Sequence, residues 1–381
     1  MNPPGESTPA PLEVLLLARE LDLGGSERQL AVTALGLDRA LFHPHVACFR
    51  GGGFRARELK RAEVPVLELG VRSLVSRSAF YGARRLGRYL ARHRIQLVHA
   101  FDVPAVLFAV PVARLYRVPV VLSSQRAHRA LTPGLTRHLL RLIDRLADGI
   151  VVNSKAVARE LVAEDGVPRS LLHLAYNGID TGRFRPEGFR AALPWPEPCL
   201  VIGVACALRP EKGLFTLLEA FASMRARWPQ ARLLMVGGGP IESQLKQRAG
   251  ELQLGPACHF QPAVEEVAPW LRAMDIFVLP SLSEALSNSL MEAMACGCCA
   301  VASGAGGNPE LIEPGQTGLL FPAADSRALA AALDTLLENP PLRHRLAQAG
   351  AAFIHNGFSS QAAARRMGRI YADAAISASM K

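Results

Sequence analysis

The chain has 381 residues, half of them hydrophobic and 20% charged, and Lys and Arg outnumber Asp and Glu by 43 to 33. That length exceeds what one hydrophobic core usually serves, so two well-buried globular domains are expected. The 7 cysteines, an odd number spread over a long chain, exclude a disulfide framework.

The first ten residues, "MNPPGESTPA", are polar and Pro-rich, and the apolar "VLLLA" at 14–18 is far too short to span a bilayer. No basic segment leads into an apolar core, so a cytoplasmic protein without a signal peptide is expected. Apolar runs at 13–18, 45–49, 64–69, 95–100, 118–124 and 149–154 alternate with helical segments. The series begins again at 200–206 and continues at 232–238, 259–262, 276–281, 298–303 and 318–322. Strands separated by crossover helices make a parallel doubly wound sheet, so the chain reads as two such sheets in series. The Pro-rich "FRPEGFRAALPWPEP" (184–198) reads as the connection, which gives domains at 1–185 and 199–359 with a linker at 186–198.

Charge is unevenly spread. Residues 1–192 carry 28 Lys+Arg and 17 Asp+Glu, net +11, whereas 193–381 carry 15 and 16, net −1. Arg84, Arg88 and Arg92, and Arg137, Arg141 and Arg145, recur every four residues and so form two basic helix stripes. Such stripes suit an anionic membrane surface or an acidic substrate; the alternative is an ordinary solvated helix face. No nucleic-acid recognition motif accompanies the charge, so nucleic acid is not an expected partner.

The stretch "SEALSNSLMEAMACG" (283–297) carries two carboxylates, Glu284 and Glu292, beside an apolar segment. It follows the buried strand "DIFVLPS", so Glu284 falls in a loop at the carboxyl edge of a sheet, where open α/β folds bind ligands. Ser287 reads as an N-cap, with Asn288 and Ser289 in the first turn, and Gly297 reads as the helix stop. Eight helical residues span about 12 Å, too far for the roughly 5–9.5 Å of a glycosidase carboxylate pair. Two separated carboxylates suit a long ligand with hydroxyls at both ends and charge in the middle; the alternative is a helix-dipole partner and a satisfied helix carboxylate. The formal C-x-x-C from Cys296 to Cys299 lacks a second ligand pair and reads as small buried thiols.

Glycine-rich turns follow strands in both halves: Gly24 and Gly25 in "LDLGGSERQ", and Gly238 and Gly239 in "VGGGPIESQL". Glycines let backbone N–H groups approach phosphate oxygens at a helix start, and neither turn fits the dinucleotide G-x-G-x-x-G pattern. "LRPEKG" places Arg209 and Lys212 at another carboxyl edge, and "AGGNPEL" adds Gly306, Gly307 and Glu310.

Together these motifs resemble those of the retaining glycosyltransferases of family four, built on the two-domain GT-B fold. "PSLSEALSNSLMEAMACG" is similar to the family's E-x7-E element, and "GGNPELIEPGQTGLLFP", "NGID", "RPEKG" and "GGSERQL" also match, so the likeness runs from Leu12 to Tyr371. The resemblance implies two Rossmann-like domains facing across a cleft, with a C-terminal helix, about 360–381, packing back on the first. It implies that Glu292 holds the donor ribose, Glu284 contacts the donor sugar, and Lys212 contacts the diphosphate. By the same likeness Gly24 and Gly25 approach the phosphates, no metal or other cofactor is needed, and the partners are a nucleotide sugar and a glycan or polyprenyl- or lipid-linked acceptor. Peripheral attachment to the inner face of the cytoplasmic membrane, through the basic N-terminal domain, stays open.

The chain departs from the family pattern in three places. Ala207 stands where an arginine is usual; Arg209, two positions on, shares its face if the strand extends that far. The usual histidine of the first domain falls at Gln125 or Arg126, with His128 displaced, and these with Asn177 are the acceptor-side candidates. Ala285 replaces a glycine after the first glutamate. The expected activity is transfer of a sugar from a nucleotide diphosphate with retained anomeric configuration. A GT-B sugar-nucleotide epimerase and a catalytically silent sugar-nucleotide-binding subunit are the alternatives.

Overall fold

The computed structural model describes residues 10–22, 24–196 and 199–380. The amino-terminal stretch 1–9, read above as carrying no leader, lies outside the described residues, as do Leu23, Glu197 and Pro198 of the expected linker, and Lys381. Contacts divide the chain into two compact units. The first holds the described residues up to Asn153, then Val157–Gly178, then those from Ser360 onward; the second holds Ser154–Ala156 and Ile179–Ser359.

Unit one is a seven-stranded parallel sheet of β1 (Leu12–Ala18), β2 (Phe42–Cys48), β3 (Val66–Glu68), β4 (Leu97–Ala100), β5 (Val120–Gln125), β6 (Gly149–Val152) and β7 (Leu172–Leu174), in the order β3-β2-β1-β4-β5-β6-β7. Its crossover helices are α1 (Gly25–Gly36), α2 (Phe54–Arg61), α3 (Arg77–Arg92), α4 (Val103–Leu115), α5 (Gly134–Asp144) and α6 (Lys155–Asp165). Each sheet face carries its own apolar cluster, one around Leu16, Phe101 and Leu122 and the other around Leu15, Leu17 and Phe108. Side chains of a strand alternate between faces, so the unbroken "VLLLA" feeds both clusters at once.

Two strands differ from the sequence reading. β7 has no counterpart in it, because "LHL" at a sheet edge is too short and too exposed to give an apolar run. β2 begins at Phe42 rather than 45, running through Pro44. The Val46 N–H donates to Pro65 O at 2.8 Å, so Pro44, two residues earlier, faces the same side, and β3 pairs only from Val66 onward. Among the described residues no neighbouring strand asks Pro44 for a hydrogen bond, which is why a proline is tolerated there.

Unit two is a six-stranded parallel sheet of β8 (Leu200–Ala205), β9 (Ala231–Val236), β10 (Cys258–Gln261), β11 (Ile276–Leu279), β12 (Cys299–Ser303) and β13 (Leu319–Phe321), in the order β10-β9-β8-β11-β12-β13. Helices α7 (Leu214–Met224), α8 (Glu242–Glu251), α9 (Ala268–Arg272), α10 (Asn288–Ala295), α11 (Ser326–Glu338) and α12 (Pro340–Gly357) cover it. Cys296, Cys298 and Cys299 are buried free thiols, and desolvation pushes Cys296 and Cys299 up to about 12, so the C-x-x-C is apolar packing.

The last helix, α13 (Ser360–Ser379), belongs to unit one and packs along α1. Its Tyr371 is fully buried, with the hydroxyl 2.7 Å from His99 Nδ1, while His99 Nε2 lies 2.8 Å from Ser124 Oγ. Burial holds His99 well below the usual histidine range, so the strand interior carries a neutral ring satisfied at both nitrogens.

The two basic stripes have different fates. Arg84, Arg88 and Arg92 lie exposed on α3, whereas Arg137 and Arg141 of α5 donate to Asp165 Oδ1 at 2.9 and 2.7 Å. The second stripe is thus largely an ion-pair set tying α5 to α6. Burial works to raise Asp165, but the hydrogen bonds from Arg137 and Arg141 outweigh it and hold the carboxyl below its usual value. A carboxylate held low contributes stability that is complete above about pH 4 and is lost as pH falls through its folded pKa. Arg137→Ala combined with Arg141→Ala should therefore move the acid-unfolding midpoint to higher pH, as followed by circular dichroism; an unmoved midpoint would show that the pairs contribute nothing.

Candidate active site

Strand order in unit two reverses between β8 and β11, and α/β sheets bind ligands outside the carboxyl ends of strands at such a point. The loops after these two strands carry Lys212 and Glu284. The Lys212 ammonium donates to Glu284 Oε2 at 2.6 Å, and Ser281 Oγ donates to the same oxygen at 3.2 Å. Both charged side chains are mostly buried, at 18% and 13% exposed. Burial alone would lower the Lys212 pKa, but the Glu284 charge and hydrogen bond hold it above the usual lysine value. Lys212 therefore stays an ammonium at neutral pH, held against the Glu284 carboxylate.

Backbone contacts lock four loops of this edge together. Leu282 N–H donates to Glu211 O at 2.8 Å, Leu208 N–H to Gly238 O at 3.0 Å, and Gly307 N–H to Glu284 O at 3.0 Å. Gly213 has φ 62°, and a Cβ there would meet Pro280 O at 2.2 Å; Cβ atoms at Gly239 and Gly307 would meet Leu208 O and Ala285 O at 2.3 and 2.1 Å. These glycines let one loop backbone lie on another. Gly238 differs, with nothing nearer than 3.8 Å to its Cβ position, so its freedom is not consumed by packing.

Glu292 is 5% exposed on α10, whose Ser287 caps the helix by accepting from Leu290 N–H at 3.2 Å. Gly297 takes φ 85° just past the helix end, as the stop signal requires. The interval from Glu284 to Glu292 is not all helix, because α10 starts at Asn288, so the 12 Å figure for eight helical residues does not apply. The face-sharing argument for Arg209 also needs correction. β8 ends at Ala205, and Arg209 N–H turns back to Ala207 O at 3.0 Å. Both side chains are nevertheless exposed at this edge. The Glu310 carboxylate accepts from the Lys155 and Ala156 N–H groups at 2.8 and 2.9 Å.

In unit one the order reverses between β1 and β4. Gly24 and Gly25 open α1 there, but the Glu27 carboxylate occupies the space a Gly24 Cβ would take. Burial raises the Glu27 pKa, with the Asp102 charge adding to it. This acidic neighbour was not anticipated, although a glutamate in the first helical turn is visible in "GGSER". The Gln29 amide brackets Gly178, donating to its carbonyl and accepting from its N–H at 2.9 Å each, which joins the "GGSERQL" and "NGID" motifs.

Among the acceptor-side candidates, Arg126 Nη1 donates to Asn177 Oδ1 at 2.9 Å and lies over the Phe101 ring, and burial lowers the guanidinium to about 10. The other two have structural partners. Gln125 donates to Ala127 O and accepts from Arg129 Nε, and His128 pairs with Glu160. Arg129 itself is buried and makes two bonds to Asp144, at 2.7 and 2.9 Å. That core ion pair was not read from the sequence, where Arg129 is one arginine among many.

Residues 23–183 match Glycosyltransferase Family 4 and residues 187–353 match Glycosyl transferases group 1. The chain belongs to family four of the GT-B glycosyltransferases. The crystal structure of HepE from Anabaena in complex with UDP agrees in fold, with a TM-score of 0.81 at 20% identity over 95% of this chain and 100% of that one. The D-inositol 3-phosphate glycosyltransferase of Nocardioides sp. is 34% identical over 245 residues, 59% of this chain and 53% of that protein. The GDP-mannose-dependent alpha-(1-6)-phosphatidylinositol monomannoside mannosyltransferase of Mycolicibacterium smegmatis is 29% identical over 72% of this chain and 74% of its own length. The chain spans about half the length of most of the curated relatives it matches.

The glycine geometry makes a direct expectation. Gly213→Ala, at positive φ and against a backbone oxygen, should destabilise by about 1 kcal/mol or more in denaturant unfolding, whereas Gly238→Ala should leave stability nearly unchanged. Equal losses would show that the packing of these loops is not as described.

Proposed function

We propose that the chain is a glycosyltransferase that moves a sugar from a nucleotide diphosphate to a glycan or lipid-linked acceptor with retention of configuration. The observation that carries this reading is the Lys212–Glu284 pair at the switch point, with Glu292 on the adjoining helix α10. Glu292 would accept from the ribose hydroxyls, Glu284 from a donor-sugar hydroxyl, and Lys212 would meet the diphosphate. The acceptor oxygen bonds to the anomeric carbon on the face from which the diphosphate oxygen departs, and the acceptor proton passes to that oxygen. Lys212, the exposed Arg209 and the first-turn N–H groups of α10 supply the positive charge, so the transfer needs no metal.

Thermal stabilisation by UDP-, GDP- and ADP-sugars tests the reading, since a ligand at 100 times its dissociation constant adds about 2.7 kcal/mol. Absence of stabilisation by any of them would overturn it, and donor turnover without an acceptor would favour the epimerase. Glu292→Ala should remove the stabilisation, while Glu284→Ala should retain nucleotide binding and lower turnover; equal effects on nucleotide binding would reverse the assignment. For Arg209→Ala, a loss of about 10²-fold or more in turnover is expected if it stabilises the diphosphate, and a wild-type rate would dismiss that role.

The relative named for phosphatidylinositol mannoside supports a lipid-linked acceptor, and α3 supports where it is met. Arg84, Arg88 and Arg92 lie exposed with Phe80 and Tyr81, at 60% and 67% exposure, and none of the three arginines pairs with a carboxylate among the described residues. Aromatic and basic side chains on one helix suit the inner face of an anionic membrane. Each basic residue near such a surface contributes about 1 kcal/mol, so reversing the three to Glu should release the protein from anionic vesicles at low salt with donor binding intact. Failure of the wild type to bind those vesicles would favour a soluble acceptor.

A further inference from the structure

At the opposite edge of unit one, where β1 and β2 begin, three metal-ligating side chains converge. The parallel register sets Glu13 beside His43, and His45, two residues on, shares the face of His43. His45 Nε2 lies 2.7 Å and His43 Nδ1 2.9 Å from the same oxygen, Glu13 Oε2. The three ligand atoms lie within 4.8 Å of one another. We propose that Glu13, His43 and His45 bind one borderline divalent transition-metal ion, with zinc as the reference ion.

The surroundings are those of a metal ligand set. His45 is 2% exposed, and its second nitrogen, Nδ1, lies 2.7 Å from Tyr89 Oη on α3. A ligating histidine commonly donates its other N–H to such a partner, which fixes the tautomer and aims the free nitrogen at the ion. His93 stacks on Tyr89 with ring centroids 4.1 Å apart, which holds that phenol in place. Two imidazoles and a carboxylate suit zinc, cobalt or nickel better than calcium or magnesium. His43 is half exposed, so water can complete the coordination. One ion here would join β1, β2 and, through Tyr89, the basic helix α3. It lies at the amino ends of the strands, so it takes no part in the transfer proposed above.

The test uses the full chain, stripped with a chelator and titrated calorimetrically with zinc, with cobalt absorption as a second readout. One equivalent should bind, and cobalt should show a nitrogen and oxygen spectrum without thiolate charge transfer. His43→Ala, at an exposed position that should not disturb folding, and Glu13→Gln should remove this binding and the accompanying rise in Tm. Tyr89→Phe keeps the ring but should weaken the ion about 10- to 100-fold. The proposal is overturned by the absence of stoichiometric binding, by undiminished binding in His43→Ala, or by a cobalt–thiolate band, which would place the ion on cysteine. Nucleotide binding by His43→Ala should match the wild type, so failure here is separable from failure of the glycosyltransferase reading.

Discussion

The reversal of strand order at β8 and β11 is the constraint on which the candidate site depends. Two crossovers leave the sheet in opposite directions there, so the loops after those strands part, and neither is covered by the other's helix. Lys212 and Glu284 come from these two loops and close the gap with a charge pair at 2.6 Å. An ion pair shielded from water is costly to form unless its remaining hydrogen bonds are met, and Ser281 meets one of them. A ligand that brings its own phosphate and hydroxyl groups can replace the partners that each member now supplies to the other.

Elsewhere the fold handles buried charge by the same means but to a different end. Arg129 and Asp144 form a two-bond pair in unit one, and Asp165 gathers Arg137 and Arg141. These pairs bind helices to loops and to each other. At Glu27 burial and the Asp102 charge raise the carboxyl, and its own backbone N–H and the Arg19 charge offset them only in part, so its charge is less well compensated than that of Asp165.

Most of the sheet architecture was legible because a strand covered on both faces must be apolar throughout, as "VLLLA" and "IFVL" are. β7 was not, since three half-exposed residues at an edge carry no such demand, and β2 was shortened because proline argues against a strand unless one side has no partner. For the site, the positions of Glu284, Glu292 and Lys212 at a carboxyl edge followed from local pattern. Their mutual contacts did not, because the Lys212–Glu284 pair joins residues 72 apart. Likewise, regular Arg spacing could not distinguish the exposed α3 stripe from the paired α5 stripe, since the partners of the latter sit on α6. Periodicity tells which side chains share a face, and only the packing tells what that face meets.

The return of α13 to unit one has a consequence for the order in which the chain becomes structured. Unit two occupies an uninterrupted stretch, Ile179–Ser359, apart from three residues, whereas unit one needs Tyr371 against His99 to fill its interior. Tyr371 lies 272 positions after His99, so a ribosome must add all of that chain before the contact can form. The half that is made first therefore finishes last, and until it does, the ring of His99 and the groove along α1 stay exposed to the surroundings.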